Sequence, residues 1–389
     1  MNRADAVARG GAQTVALTGL VSLAVAMGIG RFAFTPILPM MQDDYGLSVG
    51  EGGWLAAANY TGYLAGALSG ICARVRPALA IRAALATIVL VTLAMAATSS
   101  FPAWILLRAI AGAASAWVLV FTSSWALERL GAEGRLDLGG TMYAGVGVGI
   151  AVAGLTCLVL MAHVAHAAEA WRALGAVAGV ATLTVWPVVG RGSSRSEAAL
   201  QGAAASGYGR LVLCYGLFGF GYIVPATFLP LMAKTAMPDP QAFGWAWPMF
   251  GLAAALSTIS VGGVAKRFGF RGLWMGAALV MAAGVALPLV IQRFAGLLAS
   301  ALAVGGTFMV ITMAGLQEAR RVAGQNAKAV MAAMTSAFAL GQIAGPALVA
   351  LLAGNPAIMV ALACACVLLV ASAALLASVP ARTPKRTGL

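Results

Sequence analysis

The sequence predicts an all-α integral membrane protein of twelve transmembrane helices, built as two six-helix bundles in parallel repeat with both termini cytoplasmic. Three observations predict it. The chain is 61% hydrophobic and only 9% charged over 389 residues, whereas soluble domains carry about 25% charged residues. Lys and Arg alternate in density from one interspan segment to the next. The second half repeats the first at a fixed offset of 191 residues.

Apolar spans lie in order at 14–41, 52–73, 79–98, 102–127, 139–161, 170–190, 208–233, 243–265, 272–291, 294–316, 327–353 and 357–378. Each suits a hydrocarbon core crossed by about 20 residues of helix. They are apolar all round, not alternating as barrel strands would be. Helix is therefore the expected form, because no water is present to satisfy an open backbone. The Gly/Ser/Ala-rich stretch 191–207 separates an N-terminal bundle, 1–190, from a C-terminal bundle, 208–389, and reads as a cytoplasmic linker.

With the N-terminus inside, 19 of the 24 basic residues fall in cytoplasmic segments. They include Arg3, Arg9, Arg74, Arg76, Arg82, Arg191, Arg195, Lys266, Arg267, Arg271, Lys328, Arg382, Lys385 and Arg386. Only Arg172, Lys234 and Arg293 fall on the other side, and Arg31 and Arg108 lie inside spans. This asymmetry accounts for the net charge of +13. The basic residues form no continuous patch, so nucleic acid is not an expected partner.

The repeat is read by sliding the chain on itself. Leu20, Val21, Gly28, Gly30, Leu38, Pro39 and Met41 meet Leu211, Val212, Gly219, Gly221, Leu229, Pro230 and Met232. Gly53, Trp54 and Arg76 meet Gly244, Trp245 and Arg267. Six helices per half give both halves one orientation, a build in which transporters place substrate near midplane between the repeats. A signal-type cleavage after Ala26 is not expected. It would remove half of the first span and leave its counterpart intact.

Six plus six helices around a central cytoplasmic loop resembles the major facilitator superfamily. The stretch Gly262-Gly263-Val264-Ala265-Lys266-Arg267-Phe268-Gly269-Phe270-Arg271 resembles its signature loop, with Lys266 in place of the acid. The first-half loop with Arg74 and Arg76 also lacks the acid, so an acid-based charge relay is not expected. Arg108 and Gly112 resemble the fourth-helix motif, and Gly341, Gln342, Gly345 and Pro346 resemble packing motifs of the eleventh. Gly28-Ile29-Gly30-Arg31-Phe32-Ala33-Phe34-Thr35-Pro36 resembles the YbfB/YjiJ-like branch. The fifth span has glycines but no Gly-Pro pair, so a proton-antiporter signature is absent. The resemblance assigns Gly262, Arg267, Gly269, Arg271, Arg76, Gly112, Gly345 and Pro346 to gating or packing. It also implies a central cavity lined by the first, fourth, seventh and tenth helices.

Arg31 is the leading candidate for chemistry. A central Arg costs about 2.5–3.5 kcal/mol on insertion scales, and such residues face cavities or partners. About 15 residues into a regular helix, it would lie roughly 20 Å along the axis. It reads either as an anchor for a carboxylate or as a structural Arg on carbonyls freed near Pro36. Tyr222 occupies the matching place in the repeat. Arg108 reads as a second anion contact, a proton-linked Arg, or a helix-end Arg snorkelling outward. Asn59, Tyr60, Tyr63, Thr35 and Gln342 are candidate substrate contacts, with interhelical bonding the alternative for Asn59, Tyr60, Tyr63 and Gln342.

All eleven acids are expected in tails, loops or helix ends, among them Asp43, Asp44, Glu133 and Glu318. A positive interior without a mid-span acid favours anionic or neutral substrates. His163 and His166 read as solvated loop residues, Trp245 and Trp247 as interfacial anchors, and Gly62, Gly66 and Gly70 as helix packing. The five cysteines read as small buried hydrophobes. No metal cluster, nucleophile–base set or nucleotide loop is present, so neither enzyme activity nor a cofactor is expected. The expected protein is a secondary or facilitative transporter of a small organic anion in the cell (inner) membrane. It is expected to act as a monomer, with H+ as a candidate coupling ion. The alternative is an exporter of amphipathic or neutral compounds, of drug-efflux type.

Overall fold

A computed structural model of the chain describes residues 3–73, 75–189, 208–237, 239, 244–352 and 355–378. The linker 191–207 lies outside them, as do Arg74, Arg191, Arg195, Arg382, Lys385 and Arg386. The described residues are all-helical, with no strand among them.

The first span is not one helix. α1 (Arg3–Leu23) runs into a wider π-helical segment (Ala24–Arg31), a short turn, and α2 (Phe34–Tyr45). Then come α3 (Val49–Cys72), α4 (Pro77–Met95), α5 (Phe101–Ala132), α6 (Gly139–Ala162) and α7 (Ala167–Val185). The second half holds α8 (Gly209–Ala236), α9 (Ala246–Val290), α10 (Phe294–Ala323), α11 (Ala327–Leu352) and α12 (Asn355–Ala377). α9 covers two expected spans and breaks at Gly269, whose φ of 69° favours glycine.

Among the described residues, nine helical stretches are long and apolar enough to cross a membrane. α9 counts once for two expected spans, and α3 and α7 are not among the nine. Both carry polar residues: Asn59, Tyr60, Thr61 and Tyr63 on α3, Glu169 and Arg172 on α7.

Local chemistry sets the helix ends. Ser48 caps α3 by accepting from the Glu51 amide, and the Glu51 carboxylate returns to the Ser48 amide. At α7 the Glu169 carboxylate likewise accepts the His166 amide, at 3.0 Å, while the Glu169 amide bonds the His166 carbonyl at 2.9 Å. Pro77 and Pro102 sit in the first turns of α4 and α5, where a missing N–H costs little.

Glycines let the helices close on one another. A Cβ on Gly62 would come within 1.9 Å of the Ala109 carbonyl oxygen, and one on Gly112 within 1.9 Å of the Asn59 carbonyl oxygen. These two glycines seat α3 on α5 backbone to backbone. Gly66 also packs there, whereas Gly70 only faces the Trp117 ring at 3.7 Å. Gly145 and Gly149 seat α6 on the carbonyls of Leu20 and Ala24. Gly147 meets Gly251 between α6 and α9, and Gly53 meets Pro346 between α3 and α11.

α2 and α8 touch through residues separated by 191 positions. Thr35 Oγ1 donates to the Ala226 carbonyl at 3.1 Å, and Lys234 pairs with Asp43. Lys234 Nζ also donates to the Pro39 carbonyl at 3.2 Å.

Replacing Gly112 with Ala must push α3 and α5 apart. Gly112→Ala is expected to lower the melting temperature of the detergent-purified protein by the equivalent of about 1–3 kcal/mol or more. A Cβ on Gly262 meets nothing within 4 Å. Gly262→Ala is therefore expected to leave the melting temperature unchanged or raised, since Ala favours helix by up to about 1 kcal/mol.

Candidate functional site

The site is organised by the π-helical segment. Its widened register bonds the Phe32 amide to the Met27 carbonyl at 3.1 Å and leaves neighbouring carbonyls without their usual helical partners. Side chains from α3 and α5 take them up. Ser115 Oγ donates to the Ala26 carbonyl at 2.7 Å. Arg108 Nη1 donates to the Gly30 carbonyl at 3.3 Å and Nη2 to the Arg31 carbonyl at 2.9 Å. Asn59 Nδ2 donates to the Arg108 carbonyl at 2.9 Å and lies 3.4 Å from the Gly30 carbonyl. Gly28 allows this segment against the Gly149 backbone, where a Cβ would come within 2.3 Å.

Arg108 therefore does not snorkel. It is buried, and its guanidinium lies 4.9 Å from the Phe34 ring. Capture of freed carbonyls, a possibility raised for Arg31, is done by Arg108 instead.

Arg31 faces the junction of the two halves. It is 2% exposed, and its Nη2 donates to Gln342 Oε1 on α11. Its Cζ lies 4.1 Å from the Tyr63 ring, 5.1 Å from Tyr60 and 5.1 Å from Phe32. Aromatic faces attract a cation without neutralising it. Arg31 Nε is buried with no hydrogen bond. Among the described residues no ion pair involves Arg31 or Arg108.

The other expected contacts converge here. Gln342 Nε2 donates to the Tyr222 hydroxyl oxygen. Tyr60 and Thr227 hydroxyls meet at 3.1 Å across the junction. Tyr222 stacks between Phe308 and Phe338, at 5.5 and 5.6 Å with both interplanar angles 5°. Thus Arg31, Arg108, Tyr222, Asn59, Tyr60, Tyr63, Thr35 and Gln342 are all buried around one seam. Ser115, Thr227, Phe308 and Phe338 were not read from sequence. Phe338 lies one helical turn before Gln342, and that spacing is the signal that could have found it.

Other expectations change. Trp247 is no interfacial anchor: it is 1% exposed, stacks on Phe250 at 4.8 Å and lies 6.3 Å from Phe32. Trp245 is exposed. Glu318 is 2% exposed and paired with Arg321 at 2.7 Å, so a helix-end acid is buried. Cys364 is exposed, so not every cysteine is a buried hydrophobe. His163 is exposed, as expected. His166 is not simply solvated. Its Nδ1 lies 2.8 Å from Asp44 Oδ1, and Asp44 Oδ2 accepts the Ala167 amide at 2.5 Å. No group able to hold a metal ion occurs among the described residues.

The loop motif residues lie away from the seam, whereas Gly112, Gly345 and Pro346 pack beside it. Arg267 sits over the Phe268 ring at 5.4 Å, and Arg271 Nε donates to the Leu376 carbonyl at 2.8 Å. Arg76 precedes α4, its carbonyl accepting the Leu79 and Ala80 amides at 3.0 and 3.1 Å. Gly345 packs α11 on Ile223 and Val224, and the Pro346 carbonyl faces Gly53.

A family model described as "Uncharacterised MFS-type transporter YbfB" matches residues 23–377. No curated protein matches the chain. Among solved structures, the nucleoside transporter NupG (D323A mutant) shares the fold with a TM-score of 0.72 and 14% identity, over 93% of this chain and 99% of that one. A second NupG structure gives 0.67 and 11%, over 94% and 98%.

The Asp44 hydrogen bond, and then its charge, raise the His166 pKa above the ordinary histidine value. A raised folded value adds stability in full below the unfolded value, about 6.5. That stability is lost as pH rises through the folded value. The melting-temperature difference between wild type and His166→Asn is therefore expected to be largest near about pH 5.5 and to lose its charge-linked part by about pH 9.

Proposed function

The chain belongs to the YbfB family of MFS-type transporters, a family of membrane transporters and not of enzymes, and on that premise we propose that it moves a small organic anion of carboxylate type by alternating access. The observation that carries this is Arg31: buried, cradled by aromatic rings, and in no ion pair among the described residues. A cation held in that way lowers its own free energy by taking up an anion, and its planar fork suits a carboxylate. Arg108 supports the site from behind, by fixing the carbonyls on either side of the Arg31 side chain.

In this reading the halves are bundles 1–190 and 208–389, twelve membrane-crossing helices in all, with the linker 191–207 and both termini on the cytoplasmic side of the cell inner membrane. Two residues related by a two-fold axis can touch only near that axis. The contacts Thr35–Ala226 and Asp43–Lys234 support an axis running between α2 and α8. The halves also meet at Gly53 and Pro346, on the same side as Asp43 and Lys234. Gly262 and Gly263, toward the other side, face open space. The contacts on the Asp43 side favour a state closed outside. The transporter acts as a monomer, with H+ as a candidate partner.

A second reading has its own support. The Phe308–Tyr222–Phe338 stack offers flat apolar faces, and NupG, which shares the fold, is described as a nucleoside transporter. A neutral planar or amphipathic substrate fits those faces.

Counterflow in proteoliposomes separates the two. Anion flux is expected to fall about 10-fold to 100-fold in Arg31→Ala, the cost of one charged hydrogen bond, and to recover only in part in Arg31→Lys. Neutral-substrate flux is expected to ignore both changes. Wild-type anion flux in Arg31→Ala would sink the anchor.

A further inference from the structure

Gln342 holds an unusual place in this seam. It is fully buried on α11, yet its carboxamide joins Arg31 of the first half to Tyr222 of the second. Arg31 and Tyr222 are themselves 191 positions apart. The oxygen of the amide accepts from the cation, and its nitrogen donates to the hydroxyl.

A carboxylate has the same planar three-atom head as a carboxamide. It can accept from Arg31 through Nη2 and through the idle Nε together. Its second oxygen can accept from Tyr222, whose hydroxyl turns from acceptor to donor. Both partners of Gln342 stay satisfied, and the bond to Arg31 becomes charge-assisted.

We propose that Gln342 is an internal stand-in for the substrate's carboxylate: substrate displaces it from Arg31 and Tyr222 and so unties the two halves. The proposal rests on Arg31 being the anion anchor. It also narrows the substrate class. Both Nη groups of Arg108 are committed to main-chain carbonyls and only its Nε lacks a hydrogen bond, so among the described residues the seam offers one cationic fork for an anion, that of Arg31. Around it stand Phe32, Tyr60 and Tyr63, and against Tyr222 stand Phe308 and Phe338. The matching ligand is a monocarboxylate with an apolar or aromatic body.

The test is a melting-shift titration of the full-length purified protein with benzoate, using benzamide and succinate as comparisons. Wild type binds benzoate more tightly than either comparison. Gln342→Met, of similar length but without the hydrogen bonds, removes the internal competitor and tightens benzoate about tenfold. Gln342→Glu places a permanent carboxylate on Arg31 and loses benzoate binding. Because it keeps both hydrogen bonds, this second variant stays informative should Gln342→Met fail to fold. Benzoate affinity unchanged or weakened in Gln342→Met, or retained in Gln342→Glu, overturns the proposal, as does a wild type that ignores benzoate. Benzoate binding that survives Arg31→Ala instead defeats the anchor reading itself.

Discussion

A guanidinium shut away from water inside an apolar bundle needs acceptors, and the seam of this protein is arranged around two of them. Arg108 finds its acceptors in the main chain, at Gly30 and Arg31. Those carbonyls are free where the π segment ends in a turn, the Thr35 amide bonding Phe32 instead of Arg31. Arg31, one residue past the segment's last glycine, finds the Gln342 amide oxygen and three aromatic side chains. One cation is thus consumed in shaping the backbone. The other is left under-satisfied at the junction of the halves, where the proposed anion would complete it.

The glycine contacts serve the same end. α3 and α5 must lie backbone to backbone at Gly62 and Gly112 for Asn59 to reach the Arg108 carbonyl. α6 must lie as close at Gly149 for the π segment to fit. Small residues in a membrane bundle replace a hydrophobic driving force that lipid does not supply. Their close approach here fixes the direction of the two arginines.

Much of the site was legible because polar residues stand out in apolar spans. Arg31, Arg108, Asn59, Tyr60, Tyr63 and Gln342 were each conspicuous, and polar groups inside a bundle pair with one another. Tyr222 was found through the 191-residue offset alone. The π segment was not legible, since hydrogen-bond register leaves no mark in residue type. The role of Arg108 went with it. Phe308, Phe338 and Trp247 lacked contrast against an apolar background, so position in the sequence suggested an interface for Trp247 where the fold buries it. The all-helical character and the family were legible from composition and motifs. The boundary between the expected spans 243–265 and 272–291 was legible too, since the helix breaks between them at Gly269, whereas the interruption of the first span by the π segment and its turn was not.

The charge preference of the seam is open to direct measurement on the unaltered protein. Sets of small molecules matched in size and shape, but anionic, neutral or cationic at neutral pH, can be compared by their effect on its melting temperature. A ligand that binds only the folded state raises that temperature in proportion to its affinity. An under-satisfied Arg31 predicts stabilisation by members of the anionic set above their neutral counterparts. Stabilisation confined to the cationic set would contradict it.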